Sequence, residues 1–251
     1  MEGIAHCQVS LCYLVLMPIA PVQSRRERMR ELTLSEIREH ADAQIKQGGP
    51  AALSLNGIAK AMGMSGPSMY RYFAARDELL ATLVTESYED LADTLTQAAS
   101  DASRRAPEQR LYAVIKASRE WALANPHRYR LVFGSSYGSG ALDPERIIPP
   151  SNRAMNVILD AIADLKAPEQ PGPVTDATLT RELTQWGTRA SHDRTLGPDV
   201  LLLGLLAWTR MHGIISLEIE GVFDQVGVDA ARLYDQEIKH LITQRTGRPT
   251  S

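Results

Sequence analysis

The stretch Ser54-Leu55-Asn56-Gly57-Ile58-Ala59-Lys60-Ala61-Met62-Gly63-Met64-Ser65-Gly66-Pro67-Ser68-Met69-Tyr70-Arg71-Tyr72-Phe73 leaves the backbone few choices. Leu55 to Met62 carries apolar residues at helical spacing behind Ser54, whose hydroxyl suits an N-cap. Gly63 stops that helix. Ser65-Gly66-Pro67 then opens a second of about two turns: Ser65 or Gly66 can cap it, and Pro67 suits the first helical position because its missing N–H has no partner there anyway. Two short helices joined by a glycine turn result, with Ile58, Ala59, Met62, Met69 and Phe73 as the residues that lock them together. This is helix-turn-helix spacing. In such a unit the first helix braces the second, whose N-terminal side chains reach base edges in the DNA major groove. Ser68, Tyr70, Arg71 and Tyr72 are left to face the nucleic acid.

The rest of the chain reads as helix, with no apolar/polar alternation long enough for a sheet. Arg25 to Gln47 places Leu34, Ile37, Ala41 and Ile45 on one face and ends at Gly48-Gly49-Pro50. A long helix from Arg76 to about Arg105 carries a leucine-rich stripe, and its length makes it a connector between domains. Further helices are expected over Pro107–Asn125 and His127–Phe133. A loop from Gly134 to Pro150 comes next, then a helix over Ile148–Lys166, a loop at Pro168–Pro173 and a helix over Asp176–Ala190. Pro198–Gly221 and Gly227–Thr246 close the chain with amphipathic patterns. The expected fold is all-α. Residues 1–24 form an extension, 25–84 a three-helix DNA-binding domain, 85–246 a larger helical domain for ligand binding and dimerisation, and 247–251 a tail.

Charge is polarised in the same way. The net charge is -3, yet Arg25 to Arg76 holds nine Lys/Arg against five Asp/Glu, which leaves 18 against 25 elsewhere. A basic module on an acidic body is the distribution a nucleic-acid binder shows, although a basic terminal helix is also an ordinary solvated face.

Tyr70-Arg71-Tyr72-Phe73 followed by Arg76-Asp77-Glu78-Leu79-Leu80 resembles the TetR family of transcriptional regulators, over about Arg25 to Val84. The resemblance implies that Tyr70 and Tyr72 contact phosphates, that Ser68 and its neighbours Ser65, Gly66 and Pro67 face bases, and that Arg76, where lysine is commoner, adds a phosphate contact. Ser54 joins that set at the start of the bracing helix. Gly57 departs from the pattern, which has a polar or acidic residue there, and weakens its helix by roughly 1 kcal/mol relative to alanine. More loosely, Trp208-Thr209-Arg210-Met211-His212-Gly213, Ser216-Leu217-Glu218 and Gly221-Val222-Phe223 resemble a Trp-His-Gly type of TetR effector domain. That resemblance implies sensing and dimerisation.

In the larger domain Trp121, Tyr129, Phe133, Tyr137, Met155, Trp186 and Trp208 can line an apolar pocket between helices or can be packed core. His212 sits on an apolar stripe between Trp208 and Ile215 and reads either as a hydrogen-bonded core or interface histidine or as a ligand contact. Arg119, Arg130 or His127 can meet an acidic ligand, or be exposed charges. The last two helices offer Leu201, Leu205, Ile219, Tyr234, Ile238 and Leu241 to a second copy as a four-helix bundle, making a homodimer suited to a near-palindromic double-stranded DNA operator. The six histidines are scattered without metal-ligand spacing, so neither metal nor cofactor is expected. No nucleophile elbow, phosphate loop or dinucleotide fingerprint is present. Gly134-Ser135-Ser136-Tyr137-Gly138-Ser139-Gly140 is glycine-rich but follows no strand, which argues against an enzyme. A rival reading keeps the fold and loses DNA binding, leaving a small-molecule carrier; Tyr70-Arg71-Tyr72 and Arg76 count against it.

Cys7 and Cys12 are too few for a disulfide framework, and a reducing cytoplasm is expected. The apolar run from Val9 to Val22 lacks a basic lead-in and is too short to cross a bilayer, so no membrane role is expected. It reads as an extension, with the start falling near Met17 or Met29. The expected function is a ligand-responsive transcriptional regulator, a repressor released from its operator by a small molecule.

Overall fold

The computed structural model describes residues 24–134, 143–167, 176–190 and 194–247. Among these residues every regular element is helical. Helix α1 (Arg25–Gly48) opens on a capping box: the Ser24 hydroxyl accepts from the backbone N–H of Glu27, and the Glu27 carboxylate accepts from that of Ser24. A 3-10 turn over Pro50–Ala52 leads to α2 (Leu55–Ala61) and α3 (Gly66–Met69), and Gly63 between them has φ +65°, a left-handed conformation that glycine adopts without strain. Ile37, Ala41, Ile45, Ile58, Ala59, Met69 and Phe73 make a small core, with Met62 packed at its edge. Among them are Ile58, Ala59, Met62, Met69 and Phe73, the residues expected to lock the two short helices.

Helix α4 (Arg76–Asp101) belongs to both halves of the molecule. Its first part, Leu79 to Val84, closes the core of the head; its second part, Leu91 to Leu95, enters the larger core. At 26 residues it is roughly 39 Å long, the reach a connector needs. It packs against α5 (Pro107–Ala124) and α7 (Pro144–Ala163). Helix α6 (Pro126–Phe133) also serves both parts, since Tyr129 and Val132 sit in the larger core while Leu131 is buried in the head's core.

Three boundaries differ from the sequence expectation. Helix α7 starts at Pro144, capped by Asp143, and runs through Pro149 and Pro150, where a loop was expected. Pro149 and Pro150 lie in its second turn, where each removes a backbone donor and crowds the carbonyl four residues back, and Pro150 is buried. Helix α9 (Pro198–Ile219) stops because Gly221 turns left-handed at φ +70°, and a short α10 (Val222–Val226) precedes α11 (Ala230–Thr246). Helix α8 (Ala177–Arg189) matches expectation closely and packs on α9. With 22 residues α9 is apolar and long enough to cross a membrane, but Leu201, Leu203, Ala207, Met211 and Ile215 are spent on the protein's own core. Gly204 lets α9 approach α7 closely: a Cβ there would lie 2.3 Å from the Leu159 side chain.

Candidate functional site

Two sites emerge from this arrangement, one on the head and one between α4 and α9. On the head, Ser54 and Ser65 are N-caps, their hydroxyls accepting from the backbone N–H groups of Gly57 and Ser68. The Ser54 N–H in turn donates to Oε1 of Gln44 at 2.8 Å, which ties α2 to α1. This explains Gly57, because a Cβ there would lie 3.0 Å from Nε2 of the same glutamine. Tyr70 is 49% exposed, Pro67 and Arg71 are also exposed, and Gly66 and Ser68 are half-buried beside them. Arg71 donates to the Ser68 hydroxyl at 3.3 Å. The ring of Tyr72 lies 5.3 Å under the Arg30 guanidinium, so α1 fixes that edge of the surface.

Arg76, expected as a phosphate contact, has a side chain that is 40% exposed and is hydrogen-bonded within the head. Its Nε donates to the Leu53 carbonyl at 3.1 Å, Nη2 to the Pro50 carbonyl, and Nη1 pairs with Asp77 at 3.0 Å. The guanidinium therefore braces the loop before α2, a task its forked geometry suits.

Between the helices lies a cavity of about 320 Å³. Trp121 of α5, Tyr129 and Phe133 of α6, Met155 of α7, Trp186 of α8 and Trp208 and His212 of α9 all line it. Tyr137 lies outside the described residues. Tyr88, Ser118, Ser151, Asn152 and Met211 also face the cavity and were missed, because a polar or singly placed side chain carries no periodic signal. His212 is held in an aromatic frame: Trp208 stacks on it at 5.6 Å and 13°, and Phe133 meets it edge-on at 4.9 Å. The Tyr129 hydroxyl lies 2.6 Å from its Nδ1 and donates to its backbone carbonyl at 3.1 Å. Burial lowers the pKa of His212 and raises that of Tyr129, so both are uncharged at neutral pH.

Of the six residues expected at an interface on the last helices, four are buried within the chain itself and two, Leu205 and Ile219, are half-buried. Leu201, Tyr234, Ile238 and Leu241 are buried in the chain's own core, and Tyr234 donates from its hydroxyl to the Ile115 carbonyl at 3.0 Å. Leu205 lines the cavity and Ile219 packs against the same core. An apolar stripe on a helix does not say which neighbour covers it, and here α9 and α11 cover each other, with α5, α7 and α8 completing the cover. The cations once open to an acidic ligand are also engaged: Arg119 pairs with Glu218, Arg130 with Glu220 at 2.8 Å, and His127 with Asp42 at 3.3 Å.

Asp42 belongs to a polar chain that links the two sites. Nε1 of Trp121 donates to Asp90 of α4 at 2.8 Å; Arg128 of α6 lies 3.5 Å from the same oxygen and 3.0 Å from Asp42 of α1. Acidic residues on mixed helix faces gave no sequence signal for it.

Residues 37–83 match the family model for bacterial regulatory proteins of the tetR family, and residues 111–241 match the model for the tetracyclin repressor-like C-terminal domain. The chain belongs to the TetR family of transcriptional regulators. A curated relative, the HTH-type transcriptional regulator Rv1816 of Mycobacterium tuberculosis, is 32% identical over 211 residues, covering 82% of this chain and 87% of its own. The solved structure of the regulatory protein SCO4313 superposes with a TM-score of 0.73 at 38% identity, covering 87% of this chain and 98% of its own. FadR from Bacillus subtilis, solved with stearoyl-CoA, shares the fold at a TM-score of 0.55 and 14% identity over 84% of this chain and 98% of its own. This TetR-family chain is thus a DNA-binding regulator and not an enzyme.

Proposed function

We propose that this regulator is a cytoplasmic repressor that leaves a near-palindromic operator when a small molecule enters the cavity between α4 and α9. The observation that carries this reading is the polar chain from the cavity wall to the head, Trp121 to Asp90 to Arg128 to Asp42. Helix α6 supports it, because one short element holds Tyr129 against the cavity and Leu131 in the head's core. A ligand that moves Trp121 or Tyr129 shifts α4 and α6 against α1. FadR, with stearoyl-CoA bound in the same fold, supports a small-molecule role for this domain. Trp208 and His212 stack on each other at the cavity wall, which supports reading Trp208, His212 and Gly213 as a Trp-His-Gly type effector domain.

The working unit is a homodimer. With Leu201, Tyr234, Ile238 and Leu241 buried, the surface left on α9 includes Leu206, Gly213 and Leu217, of which Leu217 is 45% exposed. A second copy of the chain is the occupant that a two-fold operator requires. Two recognition helices about 34 Å apart match one turn of B-DNA, and a tilt of α4 changes that spacing. A coupling of roughly 1–3 kcal/mol changes operator affinity about 5- to 150-fold.

The test is fluorescence anisotropy on DNA from upstream of the protein's own gene at several salt concentrations, with wild type, Tyr70→Ala and Arg71→Ala, followed by a screen of small molecules for release. Tight, salt-dependent, sequence-selective binding that the variants lose is expected. Binding that no ligand weakens defeats the repressor-release reading. Absence of DNA binding in every condition, with and without ligands, favours the carrier reading instead.

A further inference from the structure

We propose that the cavity takes an uncharged aromatic molecule of about two rings bearing a hydroxyl or N–H group, which it donates to Nε2 of His212. The inference rests on the reading of this cavity as the effector site and names what fills it.

Size comes first. A cavity of roughly 150 Å³ lined by aliphatic and aromatic residues accepts benzene, so this one, at about 320 Å³, matches a two-ring molecule. The walls are mostly flat: Trp121, Trp186 and Trp208 face it together with Tyr129 and Phe133. Offset and edge-on packing against such rings favours an aromatic guest.

Charge comes next. Among the described residues, no Lys, Arg, Asp or Glu lines the cavity. The nearby cations are committed elsewhere, Arg119 to Glu218, Arg128 to Asp42 and Asp90, and Arg130 to Glu220. A charged guest would lose its water without gaining a counter-ion, which makes burial strongly unfavourable.

The polar anchor follows from proton bookkeeping at His212. The Tyr129 hydroxyl has one proton and two contacts, the His212 carbonyl at 3.1 Å and Nδ1 at 2.6 Å. Both are hydrogen bonds at once in one arrangement: the hydroxyl donates to the carbonyl, and Nδ1–H donates to the hydroxyl oxygen. The neutral ring then carries its lone pair on Nε2. Among the described residues the His212 hydrogen bonds are the two to Tyr129, none of them at Nε2, and the His212 ring lines the cavity. Burial disfavours a second proton on the ring, so the anchor works as an acceptor. A guest with a donor completes it; a guest with only an acceptor does not.

The test uses the full-length protein and three matched probes: β-naphthol, its methyl ether, and β-naphthalenesulfonate. Binding is read by titration calorimetry and by quenching of the tryptophans, all three of which line the cavity. At neutral pH β-naphthol is expected to bind roughly three- to tenfold more tightly than the ether. The sulfonate is expected to bind at least about tenfold more weakly than the ether. In His212→Phe the naphthol and the ether become equal. Met155→Trp, which fills the cavity and whose helix content circular dichroism can verify, weakens both. Should His212→Phe not fold, Tyr129→Phe removes the group that sets the tautomer, and the preference for the naphthol shrinks. A sulfonate that binds as well as the ether, an ether that equals the naphthol in wild type, a preference that survives His212→Phe, or the failure of all three probes to bind overturns the proposal. Anisotropy on operator DNA separates the two readings. Probes that bind in the expected order without loosening DNA refute the effector role and leave the pocket chemistry standing, while a reversed order with DNA release does the opposite.

Discussion

The indole Nε1 of Trp121 donates to Oδ2 of Asp90 at 2.8 Å, which joins the cavity wall to the middle of the connector helix α4. Asp90 is also within 3.5 Å of Arg128, which reaches Asp42 of α1 at 3.0 Å. The charged members of this chain are half-buried and share their bonds, so a displaced member shifts its partners. Trp121→Phe keeps an aromatic ring in a smaller side chain and removes the donor. It is expected to hold operator affinity within about twofold and to cut ligand-induced release by roughly three- to tenfold. Asp42→Asn should act alike. Anisotropy titrations with and without a releasing ligand check this, and unchanged coupling in both variants would mean that the signal travels elsewhere.

Arg76 is expected to behave as a brace and not as a phosphate ligand. Arg76→Ala leaves the carbonyls of Leu53 and Pro50 without their donor and should cost the head roughly 1–3 kcal/mol. The slope of log affinity against log salt should stay near the wild-type value in Arg76→Ala and fall by about one in Arg71→Ala. Chemical denaturation and salt-dependent anisotropy separate the two roles; a flattened slope in Arg76→Ala would restore the phosphate contact.

Gly57 and Gln44 make a pair whose coupling has a sign. Alanine at 57 gains roughly 1 kcal/mol of helix propensity, but its Cβ meets Nε2 of Gln44, whose Oε1 is tied to the Ser54 N–H. Gly57→Ala alone is expected to destabilise the head by about 0.5–1 kcal/mol. In a Gln44→Ala background the same change should stabilise it by about 1 kcal/mol. Denaturant midpoints of the four proteins close the cycle.

His212 predicts a pH dependence. Burial lowers its pKa from 6.5, so between the folded and unfolded values the unfolded chain binds more protons. The stability from keeping the ring neutral is full above about pH 6.5 and is lost as pH falls from there towards the lowered value. Denaturation curves from neutral to mildly acidic pH should fall more steeply for wild type than for His212→Phe. Parallel curves would show that the ring keeps its ordinary affinity for protons in the fold.

Leu217 and Leu241 differ in what surrounds them: Leu217 is 45% exposed on α9, whereas Leu241 of α11 is 1% exposed. Leu217→Asp is expected to yield folded monomers with weak DNA binding. Leu241→Asp, which buries a charge in the core, should instead unfold the larger domain. Sedimentation and circular dichroism check the pair, and an intact dimer in Leu217→Asp would move the interface off this surface of α9.

The sequence by itself determined the helices, the caps at Ser54 and Ser65, the glycine turn at Gly63 and the residues that hold the two short helices together. Each of these depends on atoms within a turn or two of chain, where spacing and side-chain chemistry are visible. It also marked the aromatic residues of the larger domain, though it left open whether they were core or cavity wall. Only the tertiary structure decided that question, because a cavity exists where six helices fail to close, and no single helix records it. Tertiary structure also turned Tyr234, Ile238 and Leu241 inward, gave Arg76 two carbonyls to hold, and brought Asp42, Asp90 and Arg128 together from three helices. An apolar stripe or a lone charge states what it needs as a neighbour but not which element supplies it, and that choice belongs to the packing of the whole chain.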